Sequence, residues 1–387
     1  MTERMSVGLD VHARSVAAAA IDGQSGEIHR RKMTPDREEI LAWIVSLAGP
    51  VRVVYEAGPT GFGLARFLLA AGVECVVAAP SKLQRPAGDR VKTDARDALH
   101  LSRLLHLGEI TAVTVWSVEQ ESARDLVRAR EDVRADLMSA RHRVSKLLLR
   151  QGIVYYDGKA WTGVHDMWLR QQRFELVGLQ IAYDTAYETV LATTARRDRL
   201  DKAITAMAAD SSFTPVVDRL GCLRGVSTLT AFGLAVEIGD WQRLSGRSIG
   251  AYLGMVPTEH SCGQSRSQGG ITKTGNGHAR RLLIEAAWHD RQPYRAPGLE
   301  LRRRWERAPA VAAARGHAGN RRLQQRWQGL IDNKKTPVIA NAAIARELTG
   351  WCWSLAVLSD LTGAGNKRPS GQPGGDGSVR SNPRHAL

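Results

Sequence analysis

Apolar positions in the first third of the chain change period several times, and each change marks an element. Ser6 to Val11, Val16 to Ile21 and Glu27 to Met33 are strand-like runs joined by short polar turns, the second being Asp22-Gly23. Asp36 to Leu47 carries helical periodicity and Val51 to Glu56 is a β-branched run; Phe62 to Ala71 is a helix stopped by Gly72, and Glu74 to Ala78 is a further strand. The pattern changes after Trp116. Leu126, Val133, Leu137, Ala140, Val144 and Leu147 form a heptad seam with Arg130 at one inner position, which predicts a long helix. A second helical stretch, Phe174 to Met207, can return along it after the Trp161 to Trp168 connection. The seam fits a hairpin within one chain or a coiled coil between subunits, and periodicity does not separate the two. Phe213 to Trp288 is Gly-rich and mixed, and Leu299 to Leu358 is helical and basic. The last stretch, from Gly363, is Gly, Pro, Ser, Asn and Arg, which cannot bury enough apolar surface to order itself.

These patterns predict α/β plus α architecture in four segments. Residues 1–116 have three meandering strands and then alternating helix and strand, the order of an RNase H-like unit. Residues 117–210 form a coiled-coil-like helical linker, 211–362 a mainly helical C-terminal domain, and 363–387 a disordered tail. The length of 387 residues, with 43% hydrophobic and 24% charged, supports more than one core. Basic residues outnumber acidic ones 54 to 39, a net charge of +15, which points to a polyanionic partner and first of all to nucleic acid. No apolar run reaches the roughly 20 residues of a spanning helix, and the first residues lack a secretory pattern, so a cytoplasmic protein with no membrane partner is expected. Cys75, Cys222, Cys262 and Cys352 are scattered and form no Cys-x-x-Cys pair, so oxygen ligands would have to hold any metal.

Candidate chemistry begins with carboxylates. Asp10 ends the first strand, on the face of Gly8 and Ser6 and opposite Val7, Leu9 and Val11. Glu56 ends the β-branched run in the same way. In Lys92-Thr-Asp94-Ala-Arg-Asp97-Ala the two aspartates lie three apart, on one face if helical. Four converging carboxylates repel unless divalent cations neutralise them, and Mg²⁺ (or Mn²⁺) suits oxygen ligands and phosphate substrates. Taken singly, a strand-end Asp is often a turn former, and Asp-x-x-Asp at a helix start often only favours the helix terminus.

Gly8-Leu-Asp10-Val-His, Tyr55-Glu56-Ala-Gly and Lys92-Thr-Asp94-Ala-Arg-Asp97-Ala resemble the Asp-Glu-Asp-Asp motifs of the DEDD-type insertion-sequence transposases, the IS110 family. The resemblance implies a RuvC-like N-terminal domain in which Asp10, Glu56, Asp94 and Asp97 are metal ligands. The stretch from Ile249-Gly-Ala-Tyr-Leu-Gly-Met-Val-Pro-Thr-Glu-His-Ser261-Cys-Gly to Gly269-Gly-Ile-Thr-Lys-Thr-Gly-Asn-Gly-His-Ala-Arg-Arg is similar to the C-terminal transposase domain of that family. In the family a serine in the loop after the Gly-x-x-Pro segment forms a phosphoserine link to DNA, and the matching residue is Ser261. Family members often carry a second Ser or Thr where this chain has Cys262. A serine hydroxyl needs a base or metal to become a nucleophile; no Ser/His/Asp spacing surrounds Ser261, although His260 adjoins it, and activation by the acidic site is the more economical expectation. On residues alone, Ser265 and Ser267 would be equal candidates. The resemblance also implies an element-encoded guide RNA that pairs with donor and target DNA, and a homo-oligomer, dimer or tetramer, is expected.

Leu223-Arg-Gly-Val-Ser-Thr-Leu-Thr-Ala resembles the start of a helix-hairpin-helix, whose turn can offer amides to a phosphate, although taken alone the segment is better read as an ordinary packed helical hairpin. Lys92, Lys273, Arg280, Arg281, Arg302, Arg303, Arg304, Arg321 and Arg322 are candidate nucleic-acid contacts, some beside Trp305 or Trp327. A solvated helix face is the alternative. The readings that stand are therefore a two-site recombinase, a RuvC-like metal-only nuclease or junction resolvase, and a non-catalytic nucleic-acid scaffold.

Overall fold

The computed structural model describes residues 4–83, 93–262, 265–295 and 297–358. Lys92 and the tail from Gly363 lie outside them. The chain divides into two compact units after Ser122.

The first unit is a six-stranded sheet between helices. β1 (Met5–Val11), β2 (Val16–Ile21) and β3 (Ile28–Met33) form the antiparallel meander; α1 (Arg37–Val45), β4 (Val51–Glu56), α2 (Gly63–Ala70), β5 (Glu74–Ala78), α3 (Asp94–His106) and the short β6 (Ala112–Val113) follow. The strand order is β3-β2-β1-β4-β5-β6, with β4 parallel to both β1 and β5. Alternation along β1 decides which helix covers which face. Val7 and Leu9 join Val53, Tyr55 and Val77 under Ile40, Ile44, Leu64 and Leu68 of α1 and α2, while α3 covers the opposite face with Ala98, Leu99, Leu101 and Leu105.

Gly8 is what lets α3 lie so close. A Cβ at Gly8 would fall against the Ala98 carbonyl oxygen and the Ser102 amide nitrogen of α3, and 2.9 Å from the Leu101 Cβ. Gly8→Ala should therefore push α3 off the sheet at a cost of about 3 kcal/mol, and separate the two elements that carry Asp10 and Asp94. Urea denaturation together with calorimetric titration of Mn²⁺ checks this; unchanged stability and metal affinity would show that the close approach is unimportant.

In the second unit, which takes in α4 (Val118–Arg150) from Ala123 onward, α4, α5 (Gly163–Arg170) and α6 (Val177–Ala209) bury Leu137, Ala140, Val144 and Leu147 against Leu169, Tyr183, Tyr187 and Val190. The seam is thus covered within the chain, and Arg130 at its polar position meets Asp201 of α6 at 2.8 Å. The connection expected between the two long helices itself contains α5. The rest comprises α7 (Thr214–Leu220), α8 (Thr228–Ile238), α9 (Ile249–Tyr252), the hairpin β7 (Pro257–Cys262) and β8 (Ser265–Ile271), α10 (Gly277–Ala287), α11 (Leu299–Arg307), α12 (Ala310–Asp332) and α13 (Pro337–Ala356). Its core gathers Phe232, Leu234, Leu283, Leu323, Ile344 and Leu348 around the wholly apolar middle of α8.

A buried carboxylate fixes the segment that follows the hairpin. Glu237 on α8 is fully enclosed and takes hydrogen bonds from Arg128 (3.0 Å) and Asn276 (2.8 Å), with Arg124 and His278 each at 3.2 Å. Burial by itself would raise its pKa. Hydrogen bonds with His278, Arg128 and Asn276 and the Arg124 charge outweigh burial and hold it far below the ordinary 4.5. A depressed folded pKa means that this stability is present above 4.5 and fades as pH falls below it. Glu237→Gln should cost about 3 kcal/mol at neutral pH because the enclosed carboxylate loses its ion pairs with Arg124 and Arg128. Urea midpoints for the two proteins should converge on acidification, and a gap independent of pH would contradict the assignment.

A candidate acidic centre and a serine on a β-hairpin

β1 and β4 are neighbours in parallel register, Leu9 opposite Tyr55, so Asp10 and Glu56 finish adjacent strands side by side at their carboxyl ends. That edge is where open α/β sheets place ligands. α3 begins over the same edge. Thr93 caps it by accepting a hydrogen bond from the Arg96 amide, and Asp94 and Asp97 stand in its first turn.

The closest grouping consists of Asp10, Asp94 and a residue not assigned from sequence, His12. Their potential ligand atoms all lie within 4.8 Å of one another. His12 Nε2 is 3.2 Å from Asp10 Oδ2 and 3.8 Å from Asp94 Oδ1. Asp10 and His12 are two apart at a strand end, a spacing that places both on one face and could have been read from Asp-Val-His. Glu56 and Asp97 stand beside this trio rather than within it: Glu56 is exposed at the end of β4, and Asp97 is half-buried one turn along α3. Burial pushes the Asp10 carboxyl above its ordinary pKa; His12 opposes the rise, and the charges of Asp94 and Asp97 add to it. Like charges held together in a partly desolvated pocket are the electrostatic condition that a divalent cation relieves. A donor set of carboxylate oxygens with one imidazole nitrogen fits such an ion, so the residues present suit the metal.

Ser261 lies in the other unit. It sits in strand β7 of an exposed antiparallel hairpin, opposite Arg266, and not in a loop as its Gly-rich surroundings suggest. The Ser261 hydroxyl donates to Glu259 Oε1 at 2.8 Å, and Gln268, the cross-strand partner of Glu259, donates to its other carboxylate oxygen at 3.2 Å. Glu259 was not among the sequence candidates. It precedes the serine by two positions on the same strand face, a signal visible only once the segment is recognised as a strand.

The remaining basic candidates divide by what they touch. Arg280 donates to the carbonyl oxygens of Leu253 and Thr274 and ties the turn after β8 to α10. Arg281 binds Glu285 and Glu131, Arg304 donates to the Val226 carbonyl oxygen, Arg303 meets Glu300, and Arg322 meets Glu347. Arg302 donates to Pro297, while Lys273 and Arg321 are exposed. The segment likened to a helix-hairpin-helix is α7, a tight turn through Gly225 and α8 capped by Ser227. Unassigned from sequence was a basic strand beside the acidic centre: Arg30, Arg31 and Lys32 of β3 share an open cavity of 590 Å³ with Asp94.

Similarity to known proteins gives first a class, transposases, and then a family. Residues 7–152 match the DEDD-type IS110 transposase model, and residues 217–297 match the model described as "Transposase IS116/IS110/IS902 family". A putative transposase, y4qE, of Sinorhizobium fredii (strain NBRC 101917 / NGR234) is 37% identical over 356 residues, covering 90% of this chain and 88% of the relative. The transposase for insertion sequence element IS1533 of Leptospira borgpetersenii is 31% identical over 349 residues, covering 87% and 99%. The chain belongs to the IS110/IS116/IS902 family of insertion-sequence transposases. Membership implies an enzyme that binds, cleaves and rejoins DNA, and suggests use of a divalent metal. Among the described residues no helix is long and apolar enough to cross a membrane.

Proposed function

We propose that this transposase is a two-site DNA recombinase, in which the acidic centre and Ser261 share the chemistry of cutting and rejoining strands and an element-encoded RNA selects the DNA. The observation that carries the reading is the meeting of Asp10 and Asp94, from β1 and α3, within ligand distance of each other and of His12. Strand order supports an RNase H-like, RuvC-like unit: an antiparallel meander, then parallel β4 and β5, with the acids at the carboxyl edge. Asp10 and Asp94, with Glu56 and Asp97 beside them, would hold Mg²⁺ or Mn²⁺. Bound there, the ion supplies neutralisation of the charge that builds on the reacting phosphate.

Ser261 supplies the nucleophile. Its Oγ forms a bond to phosphorus as the bond from phosphorus to a deoxyribose oxygen breaks, and the departing oxygen is protonated by water. The serine proton passes to Glu259, already its hydrogen-bond acceptor, while Gln268 keeps that carboxylate turned toward the hydroxyl. Rejoining reverses the exchange with a new deoxyribose hydroxyl, so the phosphodiester energy is conserved in the protein–DNA link. The net charge of +15 suits a complex holding both DNA and a guide RNA.

The test is to incubate the full-length protein with Mg²⁺, DNA bearing the element's ends and the nucleic acid that copurifies with it, then capture DNA-linked protein on a denaturing gel. A linked peptide spanning Pro257–Cys262 is expected. Cleavage with no covalent intermediate would replace this mechanism with the metal-only nuclease, in which water attacks.

A further inference from the structure

Register across the meander assembles a groove that leads to the acidic centre. On the face covered by α3, Asp10 of β1 is paired with Ala17 of β2, and Ala17 with Lys32 of β3; one step along, Gly8 pairs with Ala19, and Ala19 with Arg30. Residues directly opposite in a sheet share a face, so Lys32 and Arg30 point to the same side as Asp10, two strands away, or about 10 Å. The positions between them are alanines. Ala17 leaves a low floor where a larger side chain would fill the space, the first turn of α3, with Thr93 and Asp94, forms the facing wall, and Ala19 is buried against Ala98 and Leu99 of α3. Arg31 alternates to the other face, where it meets Glu39 at 3.9 Å. Arg30 and Lys32 are exposed, and among the described residues neither has an ion-pair partner.

Two unpaired cations are spaced along an edge strand, and carboxylates close the far side. A small free anion gains little from such a site, because Asp10 and Asp94 repel it. A polyanion gains from both ends, with phosphates near Arg30 and Lys32 while a neighbouring phosphate lies at the acidic centre. We propose that this groove holds the backbone of the DNA strand to be cut, Arg30 and Lys32 contacting phosphates a few nucleotides from the scissile one. The proposal rests on the reading that the acidic centre acts on DNA, and it adds the path by which the strand arrives.

The experiment uses full-length protein and a mixed-sequence single-stranded DNA oligonucleotide carrying 4-thiothymidine, with an RNA oligonucleotide of the same sequence as comparison. Photo-crosslinking and peptide mapping should place DNA on Ile28–Met33. Arg30→Gln with Lys32→Gln should remove that crosslink and flatten the slope of log K against log salt by about 1.4, two single-strand phosphate contacts at about 0.7 each. Arg30→Lys with Lys32→Arg should restore both. Calorimetric Mn²⁺ binding should persist in the Gln double variant, which shows the acidic centre intact. No crosslink on β3, an unchanged slope, or crosslinking by the RNA alone overturns the proposal. Failure of the underlying reading looks different: folded Asp10→Ala would still cleave DNA, while the crosslink to β3 and its loss in the Gln variant would stand.

Discussion

Replacing Asp10 with Asn should abolish strand cleavage while leaving the metal-free protein as stable as before, or more so. The two effects have one cause. Asp10 is largely buried and faces the like charges of Asp94 and Asp97, and its folded pKa is raised. For a raised acid, the ionised form opposes folding: stability is greatest below the ordinary carboxylate range and declines as pH rises through the folded pKa. At neutral pH the charge of Asp10 is therefore a cost of the fold, which the proposed role of Asp10 in holding a divalent cation would account for. Losing that charge neutralisation should lower the cleavage rate by a factor of about a thousand, about 4 kcal/mol of transition-state stabilisation. Thermal denaturation separates function from stability. Without metal, Asp10→Asn should melt at or above the parent temperature; Mn²⁺ at about a hundred times its dissociation constant should stabilise the parent by about 2.7 kcal/mol and the variant by much less. Asp94→Asn, Glu56→Gln and Asp97→Asn should also reduce cleavage. A folded Asp10→Asn protein that cuts DNA at the parent rate would remove the acidic centre from the mechanism.

Elements with an apolar face or run were legible in the sequence, and the polar β7–β8 hairpin was not. β2, β4 and β5 have the bounds expected of them, because each is an apolar or β-branched run between turn residues with its side chains in the core. α1 is shorter than its periodic stretch, since Asp36 serves as the cap and the helix gives way at Ser46. α5 has only eight residues and buries little besides His165 and Leu169, so it left no periodicity to detect. The hairpin β7–β8 escaped because Pro-Thr-Glu-His-Ser-Cys and Ser-Arg-Ser-Gln-Gly-Gly-Ile are polar on both faces, and backbone pairing with the Gln268–Glu259 hydrogen bond, rather than an apolar face, joins the strands. Missing the strand also hid the Glu259–Ser261 contact, which depends on a period of two. The carboxylate set was readable in order and type, but sequence could not say that Gly8 admits α3 or that His12 stands nearer to Asp94 than a strand-end neighbour need. Charge alone was the weakest guide. Arg280 and Arg304 look like Arg30 in composition, yet they cap carbonyl oxygens inside the fold while Arg30 opens into a groove.

Ser261→Ala should bind DNA as the parent does and form no covalent complex. A single exposed oxygen is lost from a strand whose pairing runs through the backbone, so neither the hairpin nor the basic surfaces should change. Denaturing-gel capture should fall from a clear adduct to none, because alanine has no atom to bond to phosphorus. Glu259→Gln gives a graded result. The amide can still accept the serine hydrogen bond but cannot take its proton, so adduct formation should slow by about a hundredfold, within the usual range for a general base. Ser261→Cys should be poorly active, since a thiolate is a soft nucleophile toward phosphorus. The serine and the acidic centre belong to different compact units, which makes mixing informative. If folded Asp10→Ala and folded Ser261→Ala proteins regain part of the activity together, the acidic centre of one chain serves the serine of another; if they do not, each chain completes its own chemistry. Adduct formation by Ser261→Ala, or a linked peptide elsewhere in the chain, would transfer the nucleophile's role to water or to another residue and leave the acidic centre to act alone.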